Sequence, residues 1–318
     1  MKKFSLGISL KLSLRDYEDV FRRYKDMIDE IYFSPPFERK FQSRPSISDH
    51  FRNKDNVTKL LAILKMAMNN NINLELVINS KLFLNDDDVE RCHTWCKENN
   101  IVIKSLCTFN HLIKKAKELF GDIKYICSYN QNSRTYKDLE NINPLFDEVV
   151  LGNNFIRDVK AFEILKLRGF KVRVLLNNGC SHNCNWCSNG HANLCQLTFE
   201  RNLKHKSFEF LFAIQSVFPF ELVEFYEKLN CVDSYKLSSR TQNKDKFFDI
   251  LKVYLDGYFE KNENCMLAVC LLTYMQRYIL KNINNINFDD VFRIKKGFIE
   301  SSITDRKPIQ IINKKVEP

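Results

Sequence analysis

Lys171-Val172-Arg173-Val174-Leu175-Leu176 reads as a short buried strand, and it runs almost directly into Gly179-Cys180-Ser181-His182-Asn183-Cys184-Asn185-Trp186-Cys187. With Cys195 close behind, four thiols fall within sixteen residues and can converge on one inorganic centre without long-range folding. Seven further short β-branched or apolar runs flank this strand in the chain: Phe4 to Leu10, Glu30 to Phe33, Leu74 to Ile78, Ile101 to Leu106, Lys124 to Cys127, Glu148 to Leu151 and Val232 to Leu237. Helical patterns fill the intervals, the signature of successive βα units around a parallel sheet. Eight parallel strands predict an α/β fold of the TIM-like (β/α)8 barrel type.

The helices are expected at Tyr17 to Met27, Val57 to Met68, Asp87 to Glu98, His111 to Phe120, and Ile156 to Leu167, the last stopped by Gly169. Phe208 to Leu229 reads as helical on both sides of Pro219, which should break it. Tyr254 to Ile279 and the tail beyond it read as helices outside the barrel. With no Gly/Ser linker and no internal repeat, the expected parse is a barrel over residues 1–260 and a C-terminal helical extension over 261–318.

Hydrophobic residues make up 44% of the 318-residue chain, and Gly 8 with Pro 7 are too few for a loop-rich or disordered one. The start, Met1 to Lys11, has an apolar stretch interrupted by Lys11 and Arg15 and no small-residue cleavage site, so it reads as a strand rather than an export signal. The apolar stretch Cys265 to Met275 is about half the ~20 residues that span a bilayer, and no membrane span is expected. Eleven cysteines without an export signal point to a reducing, cytoplasmic setting, where clustered thiols are metal ligands or redox groups rather than disulfides. The formal charge of +10, with lysine-rich patches such as Lys114 to Lys117 and Arg201 to Lys206, suits phosphate-bearing partners, RNA among them; compositional enrichment of lysine explains it equally well.

A CxxxCxxC run puts three soft thiolates on one loop, able to face three corners of a cubane or a tetrahedral ion. Cys180, Cys184 and Cys187 are therefore the expected metal ligands, with Cys195 as the nearest fourth; His182, His191 or an open iron are alternatives. Structural zinc more often shows two separated pairs, so an iron-sulfur centre is preferred. The loop leaves the seventh strand at its carboxyl end, the active face of such barrels. Trp186 reads as a shield against water. Cys92 and Cys96 fall on one helix face and read as packing, as do Cys265 and Cys270 in an apolar helix. Cys231 precedes the eighth strand, at the opposite end. Cys107 and Cys127 end the fourth and fifth strands, where they either are buried or reach the mouth. Arg39 and Arg44 follow the second strand, and Lys236 and Arg240 come from the eighth; a lysine inside a barrel requires an acidic partner or an anionic ligand.

Cys231-Val232-Asp233-Ser234-Tyr235-Lys236-Leu237-Ser238-Ser239-Arg240 resembles the eighth-strand signature of peptidase family U-32, the collagenase-like proteins, approximately G-V-D-S-L-K-I-E-G-R. Asp29 to Phe33 with the downstream Arg44 resembles that family's A-V-Y-L-G segment, and Phe146 to Leu151 followed by Val172 to Val174 is similar to its sixth- and seventh-strand order. Ser238 and Ser239 stand where the family has Glu and Gly, and the cysteines are more tightly spaced. The resemblance implies a barrel holding a 4Fe-4S cluster, with relatives that support oxygen-independent hydroxylation of RNA or a quinone precursor. It implies substrate contacts at Arg44, Lys236 and Arg240, a small anionic or aromatic substrate or RNA, and a redox partner. The competing resemblance is to radical enzymes using S-adenosylmethionine, whose cluster motif is also CxxxCx(aromatic)C; there the motif follows the first strand rather than the seventh. A third reading is a non-catalytic protein in which a metal braces a binding loop.

Overall fold

The computed structural model describes residues 3–37, 41, 51, 53–79, 84–129, 135–152, 155–177, 192–239, 242–271 and 273–304. Its strands are β1 (Phe4–Gly7), β2 (Ile28–Phe33), β3 (Asn73–Val77), β4 (Ser105–Thr108), β5 (Lys124–Cys127), β6 (Glu148–Leu151), β7 (Lys171–Leu175) and β8 (Ser234–Leu237). Each pairs in parallel with its chain neighbours, and β8 returns to β1 through Phe4 opposite Tyr235 and Leu6 opposite Leu237, closing the barrel in chain order. The molecule is a TIM-like (β/α)8 barrel.

Helices follow the strands: α1 (Leu14–Tyr24), α2 (Lys54–Asn69), α3 (Asp86–Glu98), α4 (Ile113–Phe120), α5 (Tyr136–Glu140), α6 (Val159–Leu167), α7 (Ala192–Leu203), α8 (Phe208–Gln215) and α9 (Pro219–Glu221), which continues as a π-helix over Leu222–Glu227. After β8 come α10 (Lys244–Tyr254), α11 (Glu263–Val269), α12 (Thr273–Asn282) and α13 (Phe288–Thr304). Their starts are written locally. Ser13 accepts from the Asp16 backbone while Asp16 reaches back to Ser13, and Asn85 with Asp88 repeats the arrangement on α3. Their ends are written too: Asn71, Asn100 and Asn230 take left-handed φ values of 58, 56 and 46°, and Gly169 takes 81°. Each stops a helix and turns the chain toward the next strand, a conformation asparagine and glycine adopt at low cost.

Two expectations need correction. The fourth strand is Ser105–Thr108 rather than Ile101 to Leu106: Ile101 N–H caps α3 by bonding Cys96 O at 2.9 Å, so the first apolar residues belong to the turn. The stretch from Tyr254 to Ile279 is not continuous helix. It breaks after Tyr254 and again at Cys270, which is extended (φ −138°, ψ 107°) rather than helical, and Gln276 Nε2 bridges that second break by donating to Leu267 O and Cys270 O, both at 3.1 Å. The interruption at Pro219 occurs as expected, since proline opens a new helix there.

Most of the core lies between the barrel and its helices; a second, smaller cluster of Tyr32, Val77, Cys107, Ile126, Val150 and Leu175 fills the barrel itself. The helices after residue 260 are fastened to the β7–β8 connection. Lys295 of α13 is wholly buried over the Phe218 ring and donates to Ser216 O. At the break between α11 and α12, Leu271 N–H bonds Asn177 O at 3.1 Å, next to the end of β7. No described helix is long and apolar enough to cross a membrane.

Candidate functional site: the carboxyl mouth of the barrel

Side chains alternate across a strand, so every second residue faces the barrel axis. In this chain those positions carry charge. Arg173 of β7, fully buried, reaches across the interior to Glu30 Oε1 of β2 at 2.6 Å, Glu75 Oε2 of β3 at 2.7 Å and Glu148 Oε2 of β6 at 2.7 Å. Lys124, at the amino end of β5, lies 3.3 Å from Glu30 and 3.6 Å from Glu148. Lys236 of β8 donates to Glu75 Oε1, with its ammonium 4.0 Å from the Tyr32 ring centroid. Ser5 and Ser105 complete the shell of Glu30 at 2.8 and 2.7 Å, and Ser234 donates to Glu148. Three buried carboxyls thus meet three cations, the pairing that buried charge requires, and the more exposed Asp29 lies 3.9 Å from Lys124 at the amino-end edge.

The electrostatics divide the three carboxyls. Burial opposes ionisation of Glu30, but Arg173 and Lys124 prevail and hold it well below the ordinary carboxylate range; Glu148 is lowered in the same way, with Ser234 assisting. Glu75 is the exception: complete burial and the adjacent Glu30 carboxyl push it upward against Lys236 and Arg173. Lys236 is desolvated as well, yet Glu75 holds it in the charged form.

This network closes the amino end of the barrel. Above it stands the apolar ring that includes Val77, Cys107, Ile126, Val150 and Leu175, and at the carboxyl ends of the strands the described lining residues turn polar and uncharged. Asn79 Nδ2 donates to Ser128 Oγ at 2.9 Å, and Asn177 clasps Ser238 by accepting from its N–H at 2.7 Å and donating to its carbonyl at 3.0 Å. Ser239 Oγ donates to Gly7 O at 2.7 Å, and Ser9 Oγ to Gln242 O at 2.6 Å, fixing the β8 and β1 ends to each other. Among the described residues the mouth is therefore a hydrogen-bonded rim of small amides and hydroxyls over an apolar collar and a charged floor.

Of the residues expected to form the site, Lys236 lies in this interior and has the acidic partner that its burial demands. Cys180, Cys184, Cys187, Arg44 and Arg240 lie outside the described residues, as do Arg39, His182, His191 and Trp186. Cys195 is in α7, described there by its backbone alone. Among the described residues no three His, Cys, Asp or Glu side chains are grouped to hold a metal ion. The seven described cysteine side chains form no disulfide with one another, and all are buried. Cys107 faces the inner cluster and Cys127 the outer core, so Cys127 does not reach toward the mouth. Burial pushes the Cys96 and Cys107 thiols up to about 12 and Cys127 higher still, which removes them as thiolate donors. Glu30, Glu75, Glu148 and Arg173 escape a motif search, because each stands among apolar strand residues in a sequence that matches no pattern. The available signal is that each of the four strands carries at least one charged residue.

Eight strands closed in chain order, with a polar mouth at their carboxyl ends, define the class as a TIM-like barrel. Within that class the chain has a U32-like fold: it superposes on the U32 peptidase Mk0906 with a TM-score of 0.50 over 77% of this chain and 95% of that one, at 8% identity. Weaker likenesses include the tryptophan synthase alpha chain of Legionella pneumophila subsp. pneumophila (TM-score 0.41, 10% identity, 90% and 94% covered). The carboxyl transferase domain of Rhizobium etli pyruvate carboxylase is similar at TM-score 0.41 and 9% identity, over 94% of this chain and 48% of that one. At these identities the likeness is one of fold. No protein-family model and no curated protein sequence matches the chain.

Proposed function

We propose that this chain is an iron-sulfur protein of the U32 type, in which Cys180, Cys184, Cys187 and Cys195 hold a 4Fe-4S cluster at the carboxyl mouth and serve the oxygen-independent hydroxylation, or a related modification, of RNA or a small aromatic molecule. The observation that carries the reading is the position of β7: its carboxyl end opens on the mouth of a closed barrel whose other end is filled by ion pairs, and the cysteine string comes next in the sequence. The donor set fits such a group chemically, since thiolates are the ligands that iron-sulfur centres use and the described cysteines are buried thiols unsuited to compete. A bound cluster would supply electron transfer or a site for activating an oxygen-bearing molecule. The chain's own contribution is positional. Asn177 fixes the end of β7 against β8, the rim offers neutral hydrogen-bonding groups, and Lys236, Arg44 and Arg240 supply positive charge for a substrate anion. A reducing, cytoplasmic setting and a redox partner belong to the same proposal.

Iron and acid-labile sulfide analysis of anaerobically purified protein tests it. Iron and sulfide near equal stoichiometry are expected, and falling iron content in Cys180→Ala, Cys184→Ala and Cys187→Ala; zinc alone would leave a metal-braced binding protein and overturn the reading. A full cluster in Cys195→Ala would reassign the fourth ligand. Reductive cleavage of S-adenosylmethionine would replace the proposal with the radical reading, against which the topology weighs: among the described residues β8 is the one strand that follows the string. RNA as substrate predicts affinity that falls steeply with salt, because neutralised phosphates release counterions; a flat response removes it.

A further inference from the structure

Leaving aside the more exposed Asp29 beside Lys124, the ion network in the barrel is balanced at three buried carboxyls and three cations, and its members are unequally placed. Arg173 and Glu75 retain no exposed side-chain surface, whereas Lys236 retains 8% and is the member nearest the carboxyl ends of the strands. If the Lys236 ammonium turned to a ligand, Glu30 would keep Arg173, Lys124, Ser5 and Ser105, and Glu148 would keep Arg173, Lys124 and Ser234. Glu75 alone would lose the cation it does not share, left with one Arg173 nitrogen in common with Glu30 and with its hydrogen-bonding contact to the Glu30 carboxyl.

We propose that Lys236 is an exchangeable counter-ion: a carboxylate-bearing ligand of the mouth takes its ammonium from Glu75, and Glu75 takes up one proton from solvent in return. The proposal rests on the mouth being the ligand site and not on the iron. A fourth negative charge in a desolvated interior holding three cations is costly, and one proton restores the balance. Among the described residues, the titratable or charged groups facing the pair are Glu30 and Tyr32 on β2, Cys107 on β4, Lys124 on β5, Glu148 on β6 and Arg173 on β7, and β1 contributes Ser5. Glu75 receives the proton because it loses its partner while Glu30 stays beside it as an anion, and its burial already favours the neutral carboxyl. A monoanion matches one proton. A phosphate dianion would need two, so a carboxylate is the class selected.

Calorimetry on the full-length protein, in buffers of different ionisation enthalpy near neutral pH, reads both halves of the proposal. Benzoate is the probe, with benzamide and inorganic phosphate as comparisons. Benzoate should bind with uptake of about one proton per site, and the two comparisons should bind on the order of tenfold more weakly or worse. Lys236→Met should abolish benzoate binding, while Glu75→Gln, already neutral, should bind it without proton uptake. Should either variant fail to fold, the infrared spectrum of the wild-type protein decides: benzoate should add the carbonyl stretch of a protonated carboxyl. No benzoate binding, binding without proton uptake, equal binding of benzamide or phosphate, or unchanged binding by Lys236→Met overturns the proposal. Iron content measured on the same sample separates the two readings. An iron-free protein that binds benzoate with proton uptake sinks only the cluster, and a four-iron protein indifferent to benzoate sinks only the exchange.

Discussion

Removal of the Arg173 guanidinium would leave Glu30, Glu75 and Glu148 to share Lys124 and Lys236. Breaking a buried pair from one side costs about 3–5 kcal/mol, and Arg173→Met is expected to lie in or above that range by urea denaturation. The pH dependence should change sign as well. In the wild type Glu30 and Glu148 are held below their ordinary values, so their contribution is complete above about pH 4.5 and is lost as acid carries the pH down through the folded values. Without the arginine the same carboxyls resist ionisation, and the variant should regain stability as pH falls from 7 toward 5. The sequence made Lys236 conspicuous because its neighbours match a known signature, but it did not disclose Glu75, whose surroundings Asn73-Leu74-Glu75-Leu76-Val77 match none. Glu75 stands 161 residues from Lys236, in no pattern a linear reading holds; closure of the ring brings β3 opposite β7 and β8.

At the level of elements, α13 is held by a second buried node. Glu221, opening the π-helix, accepts from Arg157 Nε at 3.1 Å and lies 3.4 Å from Lys295 Nζ, while Arg157 also donates to Ile214 O and Ser216 O. Two cations share one carboxylate, and burial together with Arg157 drives Lys295 well below its ordinary value. Glu221→Gln should therefore destabilise the fold by about 3–5 kcal/mol, since both cations lose their counter-charge. Lys295→Met should cost about 1 kcal/mol or less, because Ser216 O and Glu221 both keep Arg157. A depressed lysine stabilises the fold most above its unfolded value near 10.5 and progressively less as pH falls toward the folded one, so the wild type should gain on Lys295→Met between pH 7 and 10. Strands and barrel-facing helices were readable because period and caps are local. The breaks at Tyr254 and Cys270 were not: Cys265 to Leu271 is apolar throughout, and it is the docking of Leu271 onto Asn177 that draws the chain out of the helix.

For the molecule as a whole, closure falls to its last strand. β8 joins β7 and β1 through Ser234–Leu237, and without it both neighbours would present unpaired edges. A chain ending at Asn230 should therefore self-associate, which gel filtration against the full-length protein would reveal as a high-mass species. Synthesis from the amino end gives this a temporal meaning. The ribosome delivers residues 180–195 before the staple that seals the ring, so a nascent protein passes through a stage in which its sulfur donors have been made while the cylinder still gapes between its first and seventh staves. On the proposed cluster reading, whatever loads those thiols would have an open seam to work through, and sealing it afterwards would lock the cargo in.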